Sequence, residues 1–143
     1  MIALGSDHGG YGLKQEVIKH LEERGIEYKD YGCYSEESCD YPIYGKKVAE
    51  AVGGGGWGVG GAFIKRGTGI GISISANKVP GIRAALCHDC FSAQATREHN
   101  NANILAMGAR VIGPGLALKI VDTFLDTPFS NEERHVRRIS MIE

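Results

Sequence analysis

Short apolar segments alternate with helical segments along the whole chain, and this alternation constrains the fold more than any other feature. Five segments are apolar enough to form strands, at residues 2–5, 26–31, 62–65, 82–87 and 104–107. Apolar residues at helical spacing follow each one, as in Leu13, Val17 and Leu21 after the first. No hairpin signal separates the strands. The pattern predicts an α/β protein with a five-stranded parallel sheet covered by helices on both faces.

Residues typical of helix ends support this interpretation. Gly25 is placed to stop the first helix, and Asp89 is placed to cap the fourth. Ser130 and Glu133 form an S-x-x-E pattern, which predicts a capping box at the start of the last helix. The run Gly53–Gly61 is the least interpretable stretch, in a chain with 21 glycines.

Length and charge narrow the class of protein. The chain has 143 residues, which suits one domain spanning 1–143. Its 16 basic and 17 acidic side chains argue against a nucleic-acid partner. No apolar run reaches the roughly 18 residues of a membrane helix, so we expect no membrane partner and a cytoplasmic location. Residues 61–143 carry a net charge of +3, which suits a small anionic ligand.

Three motifs carry residues suited to chemistry, and we expect all three at the carboxyl ends of the strands, where such sheets bind ligands. They are Asp7-His8-Gly9-Gly10, the turn Gly67-Thr68-Gly69-Ile70-Gly71, and His99-Asn100. Glycines between a strand and a helix free backbone N–H groups to bind an anion or an oxyanion. A tight turn without a ligand is the alternative, because neither the dinucleotide fingerprint nor the P-loop pattern is present.

The side chains of these motifs have structural alternatives as well. Asp7 beside His8 suits hydroxyl binding and proton transfer, or else a capping aspartate beside an exposed histidine. His99 is an acid–base candidate, or else a partner of the helix C-terminus. Arg134 and Arg138 share a helix face that suits a phosphate, with Arg110 as a third guanidinium, or else they form a solvated charged face.

The four cysteines allow three interpretations. Cys87-His88-Asp89-Cys90 is a C-x-x-C motif, and with Cys33 and Cys39 it has the ligand count of a zinc site. A redox motif is a second interpretation. The third, which we favour, is that Cys87 belongs to the core and Cys90 has no special role.

Taken together, the motifs resemble one family, the type B ribose-5-phosphate isomerases, which are relatives of the galactose-6-phosphate isomerase subunits. The matching segments are G-S-D-H-G-G at 5–10, D-Y-P at 40–42, G-T-G-I-G-I-S-I at 67–74, A-N-K-V-P-G-I-R-A at 76–84, R-E-H-N-N-A-N at 97–103, A-R-V-I-G at 109–113 and R-H-V-R-R at 134–138. They span almost the whole chain in the order of the family, and their combination is highly specific.

The resemblance implies a three-layer Rossmann-like fold, no metal or organic cofactor, and a homodimer or dimer of dimers with the site at the subunit interface. It implies interconversion of ribose 5-phosphate and ribulose 5-phosphate through an enediolate. By the same resemblance Asp7, His8, Tyr41 and Asn100 contact the sugar, the amides of Gly67, Thr68, Gly69, Ile70 and Gly71 hold the enediolate, His99 assists ring opening, and Arg110, Arg134 and Arg138 bind the phosphate. Thr68 and His99 are therefore the catalytic candidates.

The sequence departs from the family at the base that removes the proton from carbon. The family places this base, usually a cysteine, immediately before G-T-G, where this chain has Arg66. A second branch uses a glutamate at the position of Ile72. A guanidinium does not accept a proton at neutral pH, so Arg66 marks the position without filling the role.

Three hypotheses account for this departure. The protein is a sugar-phosphate-binding protein with impaired turnover; or another residue is the base; or residues 53–66 contain a local sequence error, such as a compensated frameshift. A nucleotide- or flavin-binding module is a further alternative that suits the fold class but lacks a fingerprint.

Overall fold

A computed structural model describes residues 1–34, 37, 39–54, 61–65 and 67–143, with residues 61–65 described by their backbone alone. The strands are β1 (Ile2–Ser6), β2 (Tyr28–Asp30), β3 (Gly61–Lys65), β4 (Ala84–Leu86) and β5 (Ile104–Gly108). The helices are α1 (Tyr11–Glu23), α2 (Tyr41–Gly53), α3 (Ile70–Asn77), α4 (Cys90–Asn100), α5 (Pro114–Asp126) and α6 (Glu133–Ile142). The predicted α/β class is confirmed.

The strands lie side by side in the order β2-β1-β3-β5-β4. Every pairing is parallel, so all strands begin at one edge of the sheet and end at the other. We call these the amino edge and the carboxyl edge. β3 occupies the centre, where its backbone pairs with both β1 and β5. The residues of β3 have weak intrinsic strand propensity, so we attribute the strand to backbone pairing with both neighbours.

Side chains alternate across the sheet and build a core on each face. Leu4 and Leu105 face the helices α1, α4 and α5, whereas Ala3 and Ile104 face α2 and α3. The two sets point to opposite faces because successive residues of a strand alternate. Burial of both faces holds the strand ends, and the loops that follow them, in fixed positions.

The helix ends agree with the sequence at two places. Gly25 follows α1 with φ of +69°, the left-handed conformation that favours glycine at the end of a helix. Asp89 precedes α4, and its Oδ1 accepts a hydrogen bond from the Ser92 N–H at 2.6 Å. Both predicted helix ends are confirmed.

The capping box predicted for α6 is wrong. The helix begins at Glu133, and none of the side chains that the structure describes caps it. The Ser130 hydroxyl lies outside the helix and donates instead to the Glu98 carbonyl of α4 at 2.7 Å. The Ser130 hydroxyl, which the local pattern assigned to the cap of α6, is therefore used in a hydrogen bond to α4.

The glycine run is only partly described. α2 ends at Gly53, inside the run, and β3 begins at Gly61. Residues 55–60 lie outside the described residues, as does Arg66. None of the helices in the described part of the chain has the length and apolarity required to cross a membrane.

Candidate functional site

The candidate residues fall into two groups at opposite edges of the sheet. At the carboxyl edge lie Asp7, His8, the turn Gly67–Gly71 and Arg110, each of which follows the end of β1, β3 or β5. Measured along a five-residue strand, the carboxyl edge and the amino edge lie about 16 Å apart. The first group therefore shares one surface.

His99 and Asn100 belong to the other edge, so their predicted place beside the first group is wrong for a single chain. α4 starts after β4 at the carboxyl edge, runs back along the sheet and ends with these two residues just before β5. There the Asn103 N–H donates to the Arg83 carbonyl at 3.0 Å, between the segments that lead into β5 and β4. The direction of a helix after a strand decides which edge it reaches.

The turn Gly67–Gly71 presents backbone amides at the start of α3. Gly69 has φ of +81° and immediately precedes the helix. Amides of the first helical turn have no intrahelical acceptor and carry partial positive charge. The Ile70 N–H lies 3.3 Å from the Thr68 hydroxyl, a local partner at the long end of the hydrogen-bond range. The arrangement suits an anionic oxygen.

Backbone packs directly on backbone beneath this turn. A Cβ at Gly69 would lie 2.7 Å from Leu86 Cδ1 and 2.9 Å from the Met107 carbonyl carbon. A Cβ at Gly108 would lie 2.5 Å from the Gly67 carbonyl oxygen. The turn thus lies on the ends of β4 and β5 with no space for side chains at these two glycines.

Asp7 is buried, with 4% of its surface exposed, and it caps the short turn His8–Gly10. Its Oδ1 accepts a hydrogen bond from the Gly10 N–H at 2.9 Å. The structural alternative for this residue is therefore realised. The same bond fixes the carboxylate at the carboxyl edge of β1, so capping and ligand binding are compatible roles.

Cys39 holds His8 in place, although no motif of the sequence marks Cys39 as a site residue. The His8 N–H donates to the Cys39 sulfur at 3.1 Å, and the Cys39 N–H donates to His8 Nδ1 at 3.3 Å. Because Nδ1 accepts, the proton of a neutral imidazole lies on Nε2. His8 therefore presents a donor at Nε2, which suits a sugar or phosphate oxygen.

The Cys39 thiol itself is a weak acid in this environment. Burial raises its pKa to about 11, with the neighbouring Cys33 as the next cause. The thiol therefore remains protonated near neutrality, and it orients His8 rather than accepting a proton. No signal in the sequence marks this role, because Cys39 lies 31 residues from its partner.

Tyr41, which the family resemblance implies as a sugar-binding residue, lies against the turn Gly67–Gly71, called the amide turn below. A Cβ at Gly71 would lie 2.6 Å from the Tyr41 hydroxyl oxygen. Asp40 and Pro42 flank this tyrosine at the start of α2. The first turns of α2 and α3 therefore meet at the carboxyl edge.

A second histidine accompanies His99 at the amino edge. The rings of His99 and His135 stack with centroids 4.6 Å apart. His99 is exposed, whereas His135 is 7% exposed. Burial lowers the pKa of His135, and the nearby His99 lowers it further. The only sequence signal for His135 is its position between Arg134 and Arg138 in R-H-V-R-R.

The guanidinium groups at this edge are accessible. Arg134 and Arg138 are exposed on α6, and Arg134 Nε donates to the Glu132 carboxylate at 2.9 Å. At the opposite edge Arg110 is also exposed, and its N–H donates to the Gly67 carbonyl at 3.3 Å. The three arginines are therefore divided between the edges of one chain.

The cysteines do not form the four-thiolate site that their number allows. Cys33 follows β2 and Cys87 follows β4, which are the two outermost strands of the sheet. Four strand spacings separate these strands, or about 19 Å. Cys87 is 2% exposed within the core, and burial raises its pKa to about 11. The prediction of a core role for Cys87 is confirmed.

Comparison with known proteins decides the family. The family model described as Ribose/Galactose Isomerase matches residues 2–142. The chain belongs to the ribose/galactose isomerase family. It is 49% identical over 141 residues to ribose-5-phosphate isomerase B of Escherichia coli (strain K12), covering 99% of this chain and 93% of the relative.

Solved structures of the family share the fold. The ribose-5-phosphate isomerase B of Clostridium thermocellum is 54% identical, with a TM-score of 0.92 over 99% of this chain and 93% of that one. The type B ribose 5-phosphate isomerase of Trypanosoma brucei is 43% identical, with a TM-score of 0.93 over 99% of this chain and 95% of that one. The resemblance stated from the motifs is confirmed.

Proposed function

We propose that this member of the family is an isomerase that interconverts ribose 5-phosphate and ribulose 5-phosphate, a step of the pentose phosphate pathway. The amide turn at the carboxyl edge carries the proposal, since preorganised N–H donors stabilise the enediolate, the most costly species of the reaction. The isomerase names of the relatives at 49% and 54% identity support the same substrate.

The reaction divides into two tasks. His99 moves a proton between the anomeric hydroxyl and the ring oxygen, which opens the sugar. A base then removes the proton from C2, and the amides of Gly67–Gly71 hold the resulting oxyanion on O1. The proton returns at C1 while the O2 hydroxyl proton passes to O1, which leaves the ketone at C2. Thr68 positions the turn, and Asp7, His8, Tyr41 and Asn100 bind the sugar hydroxyls. Preorganised donors of this kind are worth about 3–4 kcal/mol each.

The reaction centre needs two copies of the chain. Because the amide turn and His99 lie at opposite edges, a homodimer that joins the carboxyl edge of one copy to the amino edge of its partner completes it. Arg110 from one copy then meets Arg134 and Arg138 from the other around the phosphate. Three exposed apolar side chains on α6 support the proposal that a partner copy covers this helix, namely Val136, Met141 and Ile142.

Two positions of this chain correspond to the bases of the family, Arg66 and Ile72. Ile72 is fully buried in a core, so it has neither the chemistry nor the position of a base. The impaired-binder alternative receives no support from the comparisons, in which the relatives carry isomerase names. An assay of ribulose 5-phosphate formation tests the choice: ribose 5-phosphate that binds without turnover would favour the binder.

Replacement of His99 tests the ring-opening step. We expect His99→Ala to lower kcat about 100-fold on ribose 5-phosphate, because general acid–base groups contribute at least that much. KM should change little, since the arginines and sugar contacts remain. The measurement is steady-state kinetics over a range of ribose 5-phosphate concentrations, which gives both kcat and KM. Unchanged kcat would remove His99 from the mechanism.

Arg66 is tested in two steps. Mass spectrometry of the peptide containing residue 66 decides whether arginine is present, since a matching mass excludes the local sequence error. If it is, we expect Arg66→Cys to raise kcat, because a thiolate accepts a proton and a guanidinium does not. Arg66→Ser, with similar size and no comparable base, is the control, and an equal effect of both variants would place the base elsewhere.

The remaining assignments are part of the same proposal. We propose one domain over residues 1–143 and a three-layer Rossmann-like fold with a five-stranded sheet, supported by the parallel strand order. The cytoplasmic location stays a prediction from the sequence.

A further inference from the structure

His88, in the C-x-x-C motif that the proposed reaction does not use, contacts the strand beneath the amide turn. The last paired residues of β4 and β5 are Leu86 and Ala106, and the Cys87 N–H still donates to the Ala106 carbonyl at 3.1 Å. One step further, where β4 has ended, His88 Nε2 accepts the Gly108 N–H at 3.0 Å. The imidazole thus takes the place of a backbone carbonyl and extends the ladder.

Gly108 is the residue on which the amide turn lies. A Cβ at this position would meet the Gly67 carbonyl oxygen and the Thr68 carbonyl carbon, both at 2.5 Å. The Arg110 N–H also donates to the Gly67 carbonyl. Contact this close transmits a displacement of Gly108 directly to the turn, because packed backbone has no free volume to absorb it.

We propose that His88 is a positioning residue, whose Nε2 fixes the Gly108 N–H and thereby sets the orientation of the Gly67–Gly71 amides. The inference rests on the proposed function for its kinetic consequence, but its structural part stands without it. An imidazole nitrogen that accepts carries no proton, so His88 bears its proton on Nδ1. The side chain acts through Gly108 and has no assigned contact with the substrate.

The chemistry of the contact selects the test variants. The position requires an acceptor at the distance of Nε2. Gln places its Oε1 at about that distance, whereas the Oδ1 of Asn is nearer the position of Nδ1, and Leu has no acceptor. His88→Gln should therefore retain the bond, and His88→Asn and His88→Leu should lose it.

Kinetics and amide signals test the inference together. We expect His88→Leu and His88→Asn to lower kcat for ribose 5-phosphate about 10- to 100-fold, since small misplacements of a reacting site have effects of that size. KM should stay within about twofold, and His88→Gln should recover most of kcat. His20→Leu, a histidine replacement remote from the turn in the His20–Asp122 pair, should retain kcat.

Nuclear magnetic resonance separates the positioning role from the proposed activity. In His88→Asn we expect faster hydrogen exchange at Gly108 and shifted amide signals at Gly67 and Thr68, with wild-type values in His88→Gln. If only Gly108 changes, or if Gln behaves as Asn does, the positioning role is wrong. An inactive wild-type protein with the expected signals would instead contradict the proposed function and leave the positioning role standing.

Discussion

Mixing two inactive variants should restore activity. His8→Ala removes a sugar-binding side chain of the carboxyl edge, and His99→Ala removes the acid–base group of the amino edge. We expect each alone to lower kcat/KM about 100-fold. In the proposed homodimer, joint unfolding and refolding should make half of the dimers mixed. Each mixed dimer has one site with both replacements and one with none, so activity should return to about a quarter of the wild-type value.

The arrangement of the controls makes this result specific. A double variant carrying both replacements in one chain should stay inactive when mixed with either single variant, because no site is then free of a replacement. Each single variant refolded alone controls for recovery of the fold. Sites built within one chain would leave the His8→Ala and His99→Ala mixture as inactive as its components.

Gly69→Ala should cause a large loss of both stability and turnover. Gly69 combines φ of +81° with a Cβ position only 2.9 Å from the Met107 backbone, so neither rotation nor a side-chain shift relieves the contact. We expect the free energy of unfolding to fall by about 3 kcal/mol. We also expect kcat to fall about 100-fold through displaced amides. Denaturant titration and steady-state kinetics measure the two effects.

Gly67→Ala is the matched control in the same turn. Among the described residues outside the turn's immediate neighbours, no atom lies within 4 Å of a Cβ at Gly67. Its free energy of unfolding should therefore change by less than about 0.5 kcal/mol. Equal destabilisation by Gly69→Ala and Gly67→Ala would show that the close packing at Gly69 is not the cause of the loss.

Much of the fold was predictable because its signals are local. The apolar segments around Leu4 and Leu105 and the stop at Gly25 each identify an element within a few residues. The capping box at Ser130 failed because its hydroxyl bonds the Glu98 carbonyl, and a local pattern does not reveal competition from another helix. β3 depends on pairing with both neighbours, which its own residues signal weakly.

The place of each candidate site residue in the fold was predictable for some residues and not for others. The turn at Gly67–Gly71 follows a strand, so its edge was correctly predicted. His99 lies near the end of α4, a helix that starts at the carboxyl edge. The direction of this helix was the signal in the sequence that His99 lies at the amino edge. Cys39 and His88 form hydrogen bonds to residues 31 and 20 positions away, and no spacing rule in the sequence predicts such contacts.

Placing His99 and the amide turn at opposite edges of one sheet has a consequence for how the protein responds to dilution. In the proposed homodimer, a dissociated copy would retain both hydrophobic cores and hold only half of the reaction centre. The turnover rate per chain should then follow the fraction of chains in dimers, so dilution of the protein should lower it. A ligand that bridges two copies counteracts it, since whatever binds only the assembled form stabilises assembly by mass action. Ribose 5-phosphate would in this way help to build the catalyst that consumes it.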